Sequence, residues 1–422
     1  MKKITFLIII TALFSLNNIS YSQTYTLEEC TRLAISHYPT IKEFEHMQQS
    51  EDYNLSMINM AFFPQLSFEA KATYQTDVPN LPIEMPGFSF PRLSKDNYGV
   101  NIAANQLIWD GGLTKANANI IKANTKIKTN ELEVEIFELK TRVQNIYFAI
   151  LLINEQLAQQ KRIAEELELQ LGKVNSYIEN GILGEKDADI VRVEQLRVKQ
   201  NTATIEQSKT AYLQMLSYLT GEKIDDPNSL IVPDSIIDID YNKINRPEIN
   251  LLNAQYELFG IKEYNIKIKS TPNLGFFVQG GYGRPGLNYF ENEFKFYAHG
   301  GVRLAWNFGN LYSIEDERKE YKLQKENIKI QEEKFLFNLD MRVIEIKNNI
   351  AKYNQLLKYD QEIINLREEL KKSAEIEVEN GTLSISDLLD RVFQLELAKQ
   401  NLYQHRLKKL IEILTLKQTL NN

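Results

Sequence analysis

Hydrophobic positions along this chain change their period several times, and each change marks an element. Residues 66–75 alternate strictly. Leu66, Phe68, Ala70, Ala72 and Tyr74 fall on one side, and Ser67, Glu69, Lys71, Thr73 and Gln75 on the other. That is the period of a strand with one apolar and one polar face. A second alternating run places Tyr98, Val100, Ile102 and Ala104 opposite Asn101 and Asn105, and it ends at LIWDGG, where Gly111 and Gly112 predict a turn. From Leu113 the period lengthens. Leu132, Ile136, Leu139, Val143, Ile146, Ile150, Ile153 and Leu157 follow 4-3 spacing, Gln160 interrupts, and Ala164, Leu167, Leu171, Val174 and Ile178 resume it. This is a coiled-coil seam in a helix of roughly 100 Å. The pattern breaks at Asn180–Gly181, and a return helix is expected from about Asp187 to Leu219.

The same series then occurs again. ENGILGEKDADI at 179–190 is echoed by ENGTLSISDLLD at 379–390, so that Glu179, Asn180, Gly181, Leu183 and Asp187 recur 200 residues on. Pro247 answers Pro39, and Pro272 in TPNLGFF answers Pro64 in FPQLSF, both at an offset of 208. Trp306 and Gly309 answer Trp109 and Gly112 at 197, and the seam returns as Leu336, Leu339, Val343, Ile346, Ile350, Tyr353 and Leu357. The chain therefore reads as two repeats. The first covers residues 23–220, with an opening helix at 25–61 broken at Pro39. Its strands are at about 65–75 and 97–109, and a helical hairpin at about 113–219 has its tip near 180–186. A linker without helical period, carrying Pro227 and Pro233, occupies 221–245. The second repeat covers 246–422, with strands at about 273–283 and 296–306 and a hairpin at about 310–418 with its tip near 380–386. Four prolines between 77 and 92 predict an irregular loop in the first repeat.

Composition narrows the function classes. The chain has 422 residues and a net charge of −7, and it shows no basic stripe, which argues against a nucleic-acid surface. Lys2 and Lys3, the apolar run FLIIITALFSL, and the small residues Ser20 and Ser22 predict a secretory signal peptide over 1–22. No later run approaches the ~20 apolar residues of a membrane helix. The lone Cys30 has no partner for an internal disulfide. GYGRPG at 281–286 satisfies G-x-G-x-x-G but is followed by a strand rather than a helix, so it reads as a hairpin turn. His37, His46, His299 and His405 make no metal-ligand spacing, and the methionines form no thioether cluster. No nucleophile elbow or acid pair on separate elements is present. We therefore expect no enzyme and no cofactor.

Four two-faced strands of about ten residues, in an exported chain, match the dyad pattern of an outer-membrane barrel. Four strands cannot close a barrel, and open edges are not tolerated in lipid. The chain must then assemble with copies of itself, and three copies supply a twelve-stranded barrel within the known range. A soluble sandwich carrying a coiled-coil stalk would also explain the alternation. It would not explain hairpins inserted at equivalent points of two long helical hairpins.

These residues resemble the TolC-like outer-membrane efflux proteins. The resemblance covers essentially the whole mature chain. It is carried by F-P-Q-L at 63–66, L-I-W-D-G-G at 107–112 and the two N-G-x-L-x-x-x-D tips, with a looser fit of Leu27, Leu33, Ala34 and Pro39 to the opening helix. The resemblance implies an α+β membrane protein whose homotrimer combines a 12-stranded outer-membrane β-barrel with a periplasmic α-helical barrel. It further implies a passive exit duct for efflux or type I secretion. The expected partners are a periplasmic adaptor, an inner-membrane pump of RND, ABC or MFS type, and outer-membrane lipid. Asp387 and Asp390 fall where the family rings its periplasmic mouth with aspartates. Their i, i+3 spacing puts both carboxylates on one helix face, and three copies would stack two acidic rings that select cations. Asp387 could instead simply cap the return helix, the role expected of Asp187. Gly181, Leu183, Gly381 and Leu383 are the expected adaptor-docking positions. Val378 and Leu383 stand where the best-known members have a tyrosine and an arginine that hold the mouth shut, so closure here is expected to rest on apolar packing. The alternatives are a secreted structural or adhesive coiled-coil protein, and the periplasmic adaptor itself, whose hairpin would be single.

Overall fold

A computed structural model describes residues 24–79, 93–233, 243–289 and 291–421. The expected signal peptide, most of the proline-rich loop and the middle of the linker lie outside the described residues. Helix α1 (Leu27–His37) starts at Thr26, whose hydroxyl accepts the Glu29 N–H at 3.1 Å. It ends where Pro39 denies the helix a donor, and α2 (Thr40–Asn59) begins directly after. Strands β1 (Gln65–Tyr74) and β2 (Asp96–Trp109) precede the long helix α3 (Leu113–Glu179) and its return α4 (Glu185–Thr220). The second repeat supplies α5 (Pro247–Asn265), β3 (Asn273–Arg284), β4 (Lys295–Ala305), α6 (Ile314–Glu379) and α7 (Ile385–Leu420). Among the described residues no helix is long and apolar enough to cross a membrane.

In space the chain forms two compact units, and each draws on both repeats. One comprises residues 42–132 and 248–333. Its centre is a single antiparallel sheet in the order β1-β2-β3-β4. The strands from the two repeats meet at β2–β3, where Val100 lies opposite Tyr282 and Ala104 opposite Val278. Helix α3 is capped as it leaves the sheet. The Asp110 carboxylate accepts the N–H of Gly112 at 2.9 Å and of Thr114 at 2.6 Å. Burial pushes the Asp110 carboxyl up, but these hydrogen bonds outweigh it and hold it below the ordinary range. Around the helices, Lys126 pairs with Glu257 at 2.5 Å and Lys325 with Glu263 at 3.2 Å.

The other unit comprises residues up to 41, 133–247 and 334–422. Its main core gathers Cys30 and Ala34 of α1, Val143, Tyr147 and Ile150 of α3, Leu216 of α4 and Leu410 of α7. The Tyr147 hydroxyl lies 2.9 Å from the Tyr25 carbonyl and 2.5 Å from that of Ile231. It thereby pins the parallel bridge of Tyr25 with Leu230 that ties the chain's start to the linker. Burial pushes the Cys30 thiol up to about 12, so this cysteine packs as an inert apolar group. A second core joins the two hairpins near their tips through Ile163, Leu167, Val174, Val191, Val378, Leu388 and Leu389.

Alongside this second core the two hairpins also meet through polar groups. Gln159, Arg162, Glu166, Gln170 and Lys173 form a stripe at helical spacing on α3. Arg162 reaches Glu396 at 3.4 Å, Glu166 meets Lys371 at 2.8 Å, and Lys173 meets Glu375 at 3.0 Å. Gln170, which is buried, donates to both Glu166 and Glu375. Burial raises the Glu166 carboxyl, yet its bonds from Lys371 and Gln170 prevail and keep it below its usual value.

Two expectations follow. Lys371→Glu sets a carboxylate against Glu166 and should lower the opening free energy of the hairpin pair by about 1–3 kcal/mol. Amide exchange across 163–178 and 374–393 should then quicken, while breaking the exposed Arg192–Asp189 pair changes little; equal rates in both variants would deny the polar stripe any holding role. At the turn, Gly111 has φ +68°, and a Cβ there would lie 1.9 Å from the Thr271 hydroxyl, whereas Gly112, at φ +94°, has nothing within 4 Å. The left-handed backbone alone costs an alanine about 1–2 kcal/mol, and the clash adds to it only at Gly111. Thermal unfolding should therefore show the larger loss for Gly111→Ala than for Gly112→Ala.

Candidate functional site

Two surfaces carry chemistry that packing alone does not require: the hairpin tips, and the two faces of the sheet.

The tips are built alike. At the end of α3, Gly181 has φ +72°, and its N–H donates to the Ile178 carbonyl at 3.0 Å while Ile182 N–H reaches back to Tyr177 at 2.9 Å. At the end of α6, Gly381 has φ +71°, donates to Val378 at 2.9 Å, and Thr382 N–H reaches back to Glu377 at 2.9 Å. This is the left-handed helix stop that favours glycine, and it explains why Asn-Gly occurs at both places. Gly181 and Gly381 are exposed. Leu183 and Leu383 are only half-exposed, because both pack against the tip core. The apolar side chain that projects from the first tip is Ile182, 47% exposed. Val378 is fully buried in the tip core, consistent with apolar packing at the place where the sequence offers no polar lock.

The acids after the two tips differ. Asp187 accepts the Gly184 N–H at 3.0 Å and so caps α4. On the second hairpin Ser384 is the N-cap, and its hydroxyl accepts the Asp387 N–H at 3.2 Å and donates to the Asp387 carboxylate at 2.6 Å. The N-cap is therefore Ser384 rather than Asp387, whose carboxylate is held by the Ser384 hydroxyl and remains exposed. Asp390 is exposed one turn on and makes no ion pair among the described residues. Both carboxylates are exposed on one face of α7, and neither makes an ion pair among the described residues. The polar stripe of α3 lies outside the sequence reading, although its spacing (159, 162, 166, 170, 173) is visible beside the apolar seam.

The sheet is two-faced through all four strands. Register places Phe68 opposite Ile102, Tyr282 opposite Phe296, and Phe276 opposite Val302 on one face, with Phe296 86% and Phe68 70% exposed. Aromatic residues gather at both ends of this apolar face. Tyr74, Tyr98, Tyr282 and Phe296 lie at one end, and Trp109 and Trp306, the only tryptophans, at the other. Trp109 would point to the polar face by simple alternation. A bulge between Leu107 and Trp109 lets it pair with Leu274 and turns it to the apolar side. The Trp306 indole donates to the Ser270 carbonyl at 2.7 Å. Strands of 10 to 14 residues with an apolar band between aromatic ends suit a bilayer crossing. The opposite face carries Ser67, Glu69, Lys71, Asn101, Gln279, His299 and Arg303. Among the described residues no group of His, Cys, Asp and Glu could hold a metal ion.

Comparison with known proteins fits this arrangement. The model of the outer membrane efflux protein family matches residues 31–222. No curated protein sequence matches the chain. Among solved structures it is similar to the outer membrane protein VceC of Vibrio cholerae, with 13% identity and a TM-score of 0.65 over 94% of this chain and 96% of that one. It is similar to the CmeC outer membrane channel of Campylobacter jejuni, with 13% identity and a TM-score of 0.65 over 93% and 85%. It also resembles the open state of the MtrE outer membrane channel of Neisseria gonorrhoeae, with 12% identity and a TM-score of 0.64 over 94% and 89%. At these identities the likeness is one of fold. The outer membrane efflux protein family model thus matches the first repeat, and over more than nine-tenths of its length the chain has the fold of these outer membrane channels.

Proposed function

We propose that the protein works as a homotrimeric outer-membrane channel, the exit duct of a tripartite efflux or type I secretion system. It conducts passively what an inner-membrane pump and a periplasmic adaptor deliver. The observation that carries this reading is the four-stranded sheet with an exposed apolar face and two open edges, β1 and β4. In lipid such edges must be paired, and three copies would close twelve strands around a lumen lined by the polar face. A second feature agrees. Helix α6 buries the seam through Leu339 and Ile346 but leaves Phe337, Met341, Ile344, Ile363, Leu366 and Leu370 exposed at heptad-like spacing. That second stripe suits the helices of another copy.

In this reading Asp387 and Asp390 form the constriction, two rings of three carboxylates at the periplasmic mouth. The tips at Gly181, Leu183, Gly381 and Leu383 meet the adaptor, with Ile182 as the projecting apolar contact. Nothing in the described chemistry serves catalysis, so the energy for export is assigned to the pump, whether of RND, ABC or MFS type.

Membrane fractionation tests the channel itself. The protein should appear in outer-membrane fractions as a heat-modifiable trimer, and a monomer in the soluble periplasm would sink the reading. For the constriction, Asp387→Ala combined with Asp390→Ala should bring the cation-over-anion permeability ratio in planar bilayers down toward unity. Unchanged selectivity would put the filter elsewhere.

A further inference from the structure

On the polar face of β3 and β4, the side chains do not stand up from the sheet but lie across it. Register sets Phe277 opposite Gly301 and Tyr297 opposite Gly281. A Cβ built on Gly281 would come within 2.6 Å of the tip of the Tyr297 ring, and one on Gly301 within 3.4 Å of the Phe277 ring. Each glycine therefore gives an aromatic ring from the neighbouring strand room to lie down. Glycine inside a strand commonly marks such a close approach.

Arg303 and His299 flank the Phe277 ring. The Arg303 guanidinium sits 5.0 Å from the centre of the Phe277 ring. His299 meets the other side of Phe277 edge-on, with ring centres 6.0 Å apart. Among the described residues Arg303 has no carboxylate partner, and its contact is the ring alone. Lys295, at the far end of the row, is answered by Glu291. Glu69, the acid on this face, lies three strands away on β1 and is engaged with Asn101. A guanidinium resting over an aromatic ring without a carboxylate partner has its N–H fork available to a planar anion.

We propose that this strip binds planar aromatic anions, the Arg303 guanidinium taking the anionic group and the Phe277 and Tyr297 rings the flat apolar body. The strip would act as a resting site for such cargo on its way through the lumen. That role rests on the channel reading, whereas the binding itself does not. The polar groups are few and exposed, so the site is suited to weak, reversible contact, which conduction requires.

The test is equilibrium dialysis of 1-naphthoate against the purified full-length protein in detergent, with empty micelles as the blank and sizing to record the oligomer. Naphthoate should bind, acetate and 1-naphthylmethylammonium should not, and Arg303→Gln should weaken naphthoate binding about tenfold or more. Arg303→Lys, which keeps the charge but not the fork, should fall between, and Phe277→Leu should weaken naphthoate as well. Both positions are on the sheet surface, so sizing and heat-modifiability serve as the folding check. Equal binding by wild type and Arg303→Gln, or equal binding of the naphthyl cation, would overturn the site. A monomer that still binds naphthoate through Arg303 would uphold the site and sink the channel reading.

Discussion

The structure depends on two open sheet edges. Strand β1 is paired on one side with β2, and β4 on one side with β3, so each leaves a row of backbone N–H and C=O groups without partners in the chain. In water those groups are solvated and the edge is an aggregation hazard. In hydrocarbon each unpaired group costs several kcal/mol, which no side-chain contact of this sheet offsets. Meanwhile the apolar face, with Leu66, Phe68, Ile102, Val302 and Leu304 largely exposed, is unfavourable in water. Lipid satisfies the face, and only further strands satisfy the edges. The two demands are met together when copies of the sheet join edge to edge inside a bilayer, and a monomer meets only one of them in either solvent.

The helices obey a related constraint in their own unit. A coiled coil with a single seam forms an isolated pair. Helix α6 has a buried seam and a second, exposed apolar stripe, as needed for a helix with neighbours on both sides. The hairpins differ from an ordinary bundle in how they meet. Near the tips they share an apolar core, and alongside it they are joined by Glu166–Lys371, Lys173–Glu375 and Arg162–Glu396. Pulling two apolar surfaces apart exposes both to water, at a cost that scales with their area. Charged groups regain hydration on separation, so a polar contact costs less to part.

Whatever has a period is legible in the sequence. The strand faces follow period two, and every apolar position named there shares one face in the sheet. The seam follows heptads, and Leu139, Val143, Ile150, Leu339 and Ile346 are buried where it places them. The tips follow from Asn-Gly, because the left-handed turn favours glycine. Features outside a period are not legible. The bulge that turns Trp109 outward depends on the partner strand's register, which no single strand encodes. The heptad pattern places Ala164 in the seam, but Ala164 is exposed and Ile163 is buried instead, because the helix drifts against a strict heptad after Gln160. The hydroxyl of Tyr147 reaches carbonyls at Tyr25 and Ile231, a contact across more than eighty residues in either direction that composition cannot reveal. Position in the tips alone marks Leu183 and Leu383 as docking residues, yet each is drawn inward by the core below it.

The two tips show where duplication kept the fold and released the charge. Both stop with glycine near φ +70°, both reach back with the same backbone hydrogen bonds, and both begin the return helix with an aspartate at its third position. The caps then diverge. At the first tip the Asp187 carboxylate accepts the N–H of the N-cap Gly184. At the second the Ser384 hydroxyl accepts the Asp387 N–H and donates to the Asp387 carboxylate. The next acids diverge as well. Asp189 is paired with Arg192 at 2.9 Å, while Asp390 makes no ion pair among the described residues. A serine in place of a glycine thus changes the partner of the first carboxylate from a backbone N–H to a hydroxyl, and a one-residue shift in spacing puts the second acid on the same face. Geometry that is equal in both hairpins cannot distinguish a gate from a frame. Uncompensated charge can, because it is the only property of the second tip that would be multiplied, rather than cancelled, when copies of the chain bring their tips together.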